Sequence, residues 1–231
     1  MWPLAASITV SGMPANFATS RPKELPLAPA TSRCVKLMPY QNVLRKVAAE
    51  LALLDLLQSF ATKASQDHYV RPEEAPDGHL QLTACRHPVV ERWVGTHAFM
   101  PNELELSRRV SQMLITGPNM AGKSTVMRQT AIAAIMHQIG SYVPAREARM
   151  PIFDRIFTRV GAADDLSRGQ STFMVEMAEA AAILRQASPK SLVILDEVGR
   201  GTSSEDGLAI ASAILEYIAK NLKSYTLFAT H

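Results

Sequence analysis

Gly117-Pro118-Asn119-Met120-Ala121-Gly122-Lys123-Ser124, followed by Thr125, is the stretch on which the fold turns. Its spacing, G-x-x-x-x-G-K-S, is that of a phosphate-binding loop. Each slot has a physical role. The glycines let the backbone curl around phosphate oxygens without side-chain obstruction. Amide hydrogens of the loop and of the first helical turn then point at the anion. Lys123 sets a positive charge against the β- and γ-phosphates, and the Ser124 hydroxyl is a hard oxygen ligand for Mg²⁺. The flanks agree with the motif. Met113-Leu114-Ile115-Thr116 is an apolar run that predicts a buried strand. Residues 124–139, rich in Ala, Met and Gln, predict a helix that stops at Gly140.

A second element lies 73 residues beyond Lys123, where Leu192-Val193-Ile194-Leu195 leads into Asp196-Glu197. An apolar strand ending in adjacent carboxylates suits metal-assisted phosphoryl transfer, which asks of a protein mainly positioning and charge stabilisation. Asp196 is the candidate Mg²⁺ ligand, through water, and Glu197 the candidate group that polarises the attacking water.

The bulk properties narrow the class. The chain has 231 residues, 47% apolar and 19% charged, which describes a globular, cytosolic-type protein. Cys34 and Cys85 supply no disulfide framework, and their spacing fits no zinc site. No apolar run approaches the roughly 18 residues of a membrane span. The net charge of +3 is uneven: residues 1–46 hold six Lys or Arg and one acid, leaving −2 for the remainder. The part with the phosphate loop therefore lacks the basic footprint expected of a duplex-DNA surface. Six of the fourteen prolines fall in the first 40 residues, where no periodicity persists, so that stretch reads as an irregular or disordered leader.

Elsewhere the pattern predicts a long amphipathic helix over 41–64, a polar connector over 66–80, a strand at 80–85 and a turn with a short segment at 87–91. Further strands are expected within 151–160, at 191–196 and at 224–230. Helices are expected over 173–187, with Ser171 or Thr172 as N-cap, and over 205–222. Strand and helix alternate from residue 113 onward, which predicts a largely parallel sheet with helices on both faces.

The run from Ile115 to Thr125 strongly resembles the ATPase domain of the MutS family of DNA mismatch-repair proteins. So do residues 157–165, Ser171-Thr172-Phe173-Met174-Val175-Glu176-Met177, Asp196-Glu197-Val198-Gly199-Arg200-Gly201-Thr202-Ser203 and Thr226-Leu227-Phe228-Ala229-Thr230-His231. Arg86-His87-Pro88-Val89-Val90-Glu91 matches the segment that enters that domain. The likeness covers residues 42–231. It implies an α/β fold of the P-loop NTPase, ABC type: an ATPase domain over 81–231, incomplete at its C-terminus, preceded by a helical lever remnant and connector over 41–80 and the leader over 1–40.

The resemblance implies ATP and Mg²⁺ as cofactors, and a homodimer or heterodimer closing through the ATPase face. Ser171 would contact the γ-phosphate held by the partner, His231 would stand near that phosphate and the catalytic water, and Phe99 would stack on adenine. Asn119 and its neighbours in the loop would contact phosphate. Mismatched DNA would be bound only in the full-length parent, and the location would be the bacterial cytosol or nucleoid. Two other readings stay open. One is an inactive, truncated remnant that binds nucleotide weakly or not at all. The other is a MutS2-like or other ABC-type ATPase.

Overall fold

The computed structural model describes residues 38–95, 98–118, 121–160, 172–199 and 202–230. The chain divides into two units, one ending at Leu53 and the other running from Leu54. The described part of the first is a 3₁₀ turn, Met38–Tyr40, and the opening of helix α1, Gln41–Gln66. No Gly or Pro interrupts α1, and Leu, Ala, Gln and Lys favour the helical state. The expected helix is therefore present and two residues longer than its periodicity indicated. None of its residues is buried: Val43, Leu44, Val47 and Leu51 are all exposed.

Beyond α1, the second unit holds in chain order β1 (Glu73–Glu74), β2 (Leu80–Cys85), α2 (Pro88–Val94), β3 (Asn102–Leu106), β4 (Gln112–Thr116), α3 (Lys123–Gln138), β5 (Glu147–Met150), β6 (Ile156–Arg159), α4 (Thr172–Gln186), β7 (Leu192–Asp196), α5 (Ser204–Tyr217) and β8 (Tyr225–Thr230). A π-helical turn, Ile218–Leu222, extends α5.

The strands form two sheets. The first is mixed, in the order β1-β5-β2-β3, with β2 antiparallel to both β3 and β5 and β1 parallel to β5. Its β5 interrupts the strand–helix alternation expected after residue 113. It pairs with β1 and β2 instead of joining the parallel sheet, and its inward side chains, Ala148 and Met150, lie in the core with Leu80 and Leu82 of β2. The expected turn and short segment at 87–91 is a helix, α2, with His87 as its N-cap. Pro88 sits at its start, where a missing N–H costs nothing, and His87 Nδ1 accepts from Val90 N–H at 3.3 Å. Burial pushes the His87 pKa down, which favours the neutral ring that this acceptor role needs. Arg86 fixes the approach to α2. Its guanidinium donates to Glu91 Oε1 at 2.7 Å and to the Asp67 carbonyl at 2.8 Å, and it lies over the Tyr69 ring.

The second sheet, β4-β8-β7-β6, is parallel throughout. β7 is buried along its whole length, and its period of two divides it cleanly. Leu192 and Ile194 join the cluster that contains Met127, Ala131, Ala133 and Ala134 of α3 and the inner face of the mixed sheet. Val193 and Leu195 join Ala180 and Ile183 of α4 with Ala211 and Ile214 of α5. Helices thus cover both faces, as the sequence predicted for a parallel sheet. Tyr225 links the sheets: its hydroxyl donates to the Gly78 carbonyl at 2.5 Å, and its ring meets Phe153 edge-on, centroids 5.5 Å apart.

The central position of β7 has a measurable consequence. Ile194, fully buried, should cost about 2–5 kcal/mol of stability when truncated to Ala. Leu114 of β4 is 55% exposed and should cost far less. Urea denaturation of the two variants checks the order, and equal losses would contradict this packing.

Candidate functional site

All four strands of the parallel sheet run the same way, so the loops after β4 and β7 emerge at one edge. The carboxyl end of a parallel sheet is where open α/β folds bind ligands. β8 lies between β4 and β7, which at the usual strand spacing sets those two loops ~10 Å apart. The Lys123 ammonium lies between groups of both loops.

Lys123 is the first residue of α3 and only 7% exposed. Its Nζ donates to the Gly117 carbonyl at 2.5 Å and stands 3.8 Å from Glu197 Oε1. A buried ammonium needs such partners. The contacts hold the charge at the mouth of the loop, between the end of β4 and the end of β7. Gly122 caps α3 in the left-handed region, at φ 90°. A Cβ there would meet nothing within 4 Å, so the glycine is required by backbone conformation, not by space. Gly122 has no side chain to cap α3, and among the described residues none is seen to do so. Its first amides therefore remain available to an anion, with the helix dipole behind them. Ser124 and Thr125 follow in that first turn, both partly buried.

At the end of β7, Asp196 is 6% exposed and its Oδ1 has no hydrogen-bond partner among the described residues. Such an orphaned carboxylate oxygen is costly. A metal-bound water would satisfy it, so the residues present fit Mg²⁺ at this point. The donors are a hydroxyl at Ser124 and a carboxylate at Asp196. The ion would complete its shell with water and phosphate oxygens, as Mg²⁺ commonly does. Glu197 comes next with φ 54°, an uncommon conformation for a residue with a Cβ. Its N–H donates to the Ala229 carbonyl at 3.1 Å, which pins the turn to β8.

Two features of this region escaped the sequence reading. Glu176 of α4, 4% exposed, accepts the Gly199 N–H at 2.8 Å. Gly199 lies against Gly207 of α5 so closely that a Cβ on it would come within 2.7 Å of Gly207 Cα. Neither role is visible in residue type or spacing.

The structure therefore brings together Gly117, Lys123, Asp196 and Glu197, with Gly122 and Ser124 at the start of the same helix. Phe99 lies in the turn after α2, its N–H donating to the Gly95 carbonyl at 3.3 Å. Among the described contacts none joins it to the glycine loop. Asn119, Met120, Ser171 and His231, also predicted as site residues, lie outside the described residues. Cys85 is no candidate nucleophile, because burial pushes its thiol up to about 12.

A family model described as MutS domain V matches residues 113–231, just over half of the chain. The chain is 55% identical over 192 residues to the DNA mismatch repair protein MutS of Streptococcus gordonii, covering 83% of this chain and 23% of that protein. It is 54% identical over 196 residues to its namesake in Syntrophomonas wolfei, covering 84% and 23%. To that of Clostridioides difficile it is 55% identical over 195 residues, covering 83% and 21%. The chain thus spans less than a quarter of the length of the curated relatives it matches.

Proposed function

We propose that this chain, which belongs to the MutS family of DNA mismatch repair proteins, is an ATP-binding and ATP-hydrolysing unit of ABC type. The observation that carries the reading is the convergence of Lys123, Asp196 and Glu197 at one edge of a parallel sheet, beside the start of α3, whose N-cap is a glycine. The whole of that cluster lies within the stretch matched by the family model.

On this reading the amides of the glycine loop and of the first turn of α3 bind the β- and γ-phosphates, and the Lys123 ammonium neutralises part of their charge. Ser124 and Asp196 would hold Mg²⁺, which when bound neutralises phosphate charge and orients the γ-phosphoryl group. Glu197 orients a water for attack on the γ-phosphorus and takes up its proton, and the products are ADP and phosphate. The strained backbone at Glu197 is consistent with a residue held in place for function. Phe99 as adenine platform, Asn119 and Met120 as loop contacts, Ser171 as a contact to the partner's nucleotide and His231 near the γ-phosphate complete the proposal.

The assembly would be a homodimer or heterodimer closing through this face. In the full-length protein, closure would couple nucleotide state to the binding of mismatched DNA. Among the described residues no helix is long and apolar enough to cross a membrane. A location in the bacterial cytoplasm accords with the bacterial relatives.

Steady-state phosphate release from ATP tests the function. Turnover should require Mg²⁺, and its rate per chain should rise with chain concentration as dimers form. ATP binding with no phosphate release at any concentration would leave only the binding half of the proposal standing.

A further inference from the structure

Helix α4 and the turn after β7 are joined by a hydrogen bond that the proposed hydrolysis does not itself use. Glu176 accepts the Gly199 N–H at 2.8 Å in a buried setting, across 23 residues of chain. Three residues along the same face of α4, Glu179 Oε2 stands 2.8 Å from Arg159 Nε at the end of β6. The two carboxylates therefore tie α4 to two neighbouring strand ends. Gly199 lies two residues beyond Glu197, with φ 96° and its backbone packed directly on Gly207. A buried N–H must keep its partner, and a backbone-on-backbone contact leaves little slack. A shift of the turn carrying Glu197 must then be passed on to α4 or α5.

We propose that Glu176 is a positioning residue that ties the Glu197 turn to α4, so that nucleotide state at the glycine loop is transmitted to that helix. The inference rests on the nucleotide-binding reading above. On that reading α4 directly follows Ser171, the residue proposed to reach the partner's nucleotide. A tie of this kind works in both directions: whatever holds α4 also holds the Glu197 turn.

Hydrogen exchange of residues 172–186 in the full chain, with and without Mg²⁺ and the slowly hydrolysed analogue ATP-γ-S, tests it. Analogue binding is measured separately on each variant. In the wild-type chain, nucleotide should slow exchange across α4 by about tenfold. Glu176→Gln, which keeps a carbonyl acceptor, should respond in the same way. Glu176→Ala should bind the analogue with near wild-type affinity yet show no response in α4. Its kcat should fall about tenfold with KM unchanged. If the Ala variant fails to fold, Glu176→Asp serves instead, since it keeps the charge but is one methylene too short for the bond. A response in α4 that persists in the Ala or Asp variant, or that is absent from a wild-type chain with analogue bound, overturns the inference. A wild-type chain that binds no nucleotide defeats the underlying reading, and the inference with it.

Discussion

Lys123→Ala should weaken ATP binding by about ten- to a hundredfold, because each charge-assisted hydrogen bond to phosphate is worth roughly 1.5–3 kcal/mol and 1.4 kcal/mol is a factor of ten. The effect is large because the ammonium is already in place. It is buried at the start of α3, on the Gly117 carbonyl and 3.8 Å from Glu197, so little ordering remains to be done on binding. Removing it also leaves the Glu197 carboxylate without that counter-charge and closer in effect to an incoming triphosphate. Both consequences act in the same direction. Equilibrium titration with ATP measures the change, with far-UV circular dichroism to verify the fold. Unchanged affinity in a folded variant would remove Lys123 from the site.

Glu197→Gln should show the converse pattern. Turnover should fall by about a hundred- to ten-thousandfold, the usual contribution of a positioned general base. Binding should be retained, or become tighter, because a negative charge near the γ-phosphate is gone. Gln has nearly the shape of Glu, so the left-handed backbone at this position and the N–H bond to Ala229 can persist. Steady-state phosphate release alongside ATP binding separates the two effects. A variant that lost binding and turnover together would point to a structural role for Glu197.

The parts of this molecule that sequence made legible are those where chemistry and periodicity coincide. The run Leu192–Asp196 is apolar at every position before its acid, and in the structure it is buried on both faces. The loop 117–124 announces its place after a strand and before a helix, and β4 and α3 are found there, but β4 lies at the sheet edge with none of its residues buried, so it is not the buried strand that its apolar run predicted. The mixed sheet was harder to see. β3 does alternate, with Leu104 and Leu106 inward and Glu103 and Glu105 outward, but its five residues lie between stretches without a clear pattern. β5 is four residues long and carries Glu147 and Arg149 on its outer face. Its place depends on antiparallel pairing with β2, which is more than 60 residues away in the chain. Long-range pairing of short strands leaves little local signal.

Helix α2 offers a different lesson. Pro88 behind His87 reads as a turn, yet proline is also a favoured first residue of a helix. The site divides in the same way. Lys123, Asp196 and Glu197 follow from motif chemistry. Glu176 does not, because it resembles any acid on a helix until the Gly199 amide is found against it. A side chain whose partner is a backbone group has no complementary residue type to reveal it.

The most direct test of the central claim is a calorimetric titration of ATP with Mg²⁺ into the wild-type chain, beside the same titration of Lys123→Ala. The account predicts saturable binding to the wild-type chain that is weakened at least about tenfold in the variant. A folded wild-type chain that takes up no ATP, or two identical binding curves, would contradict it.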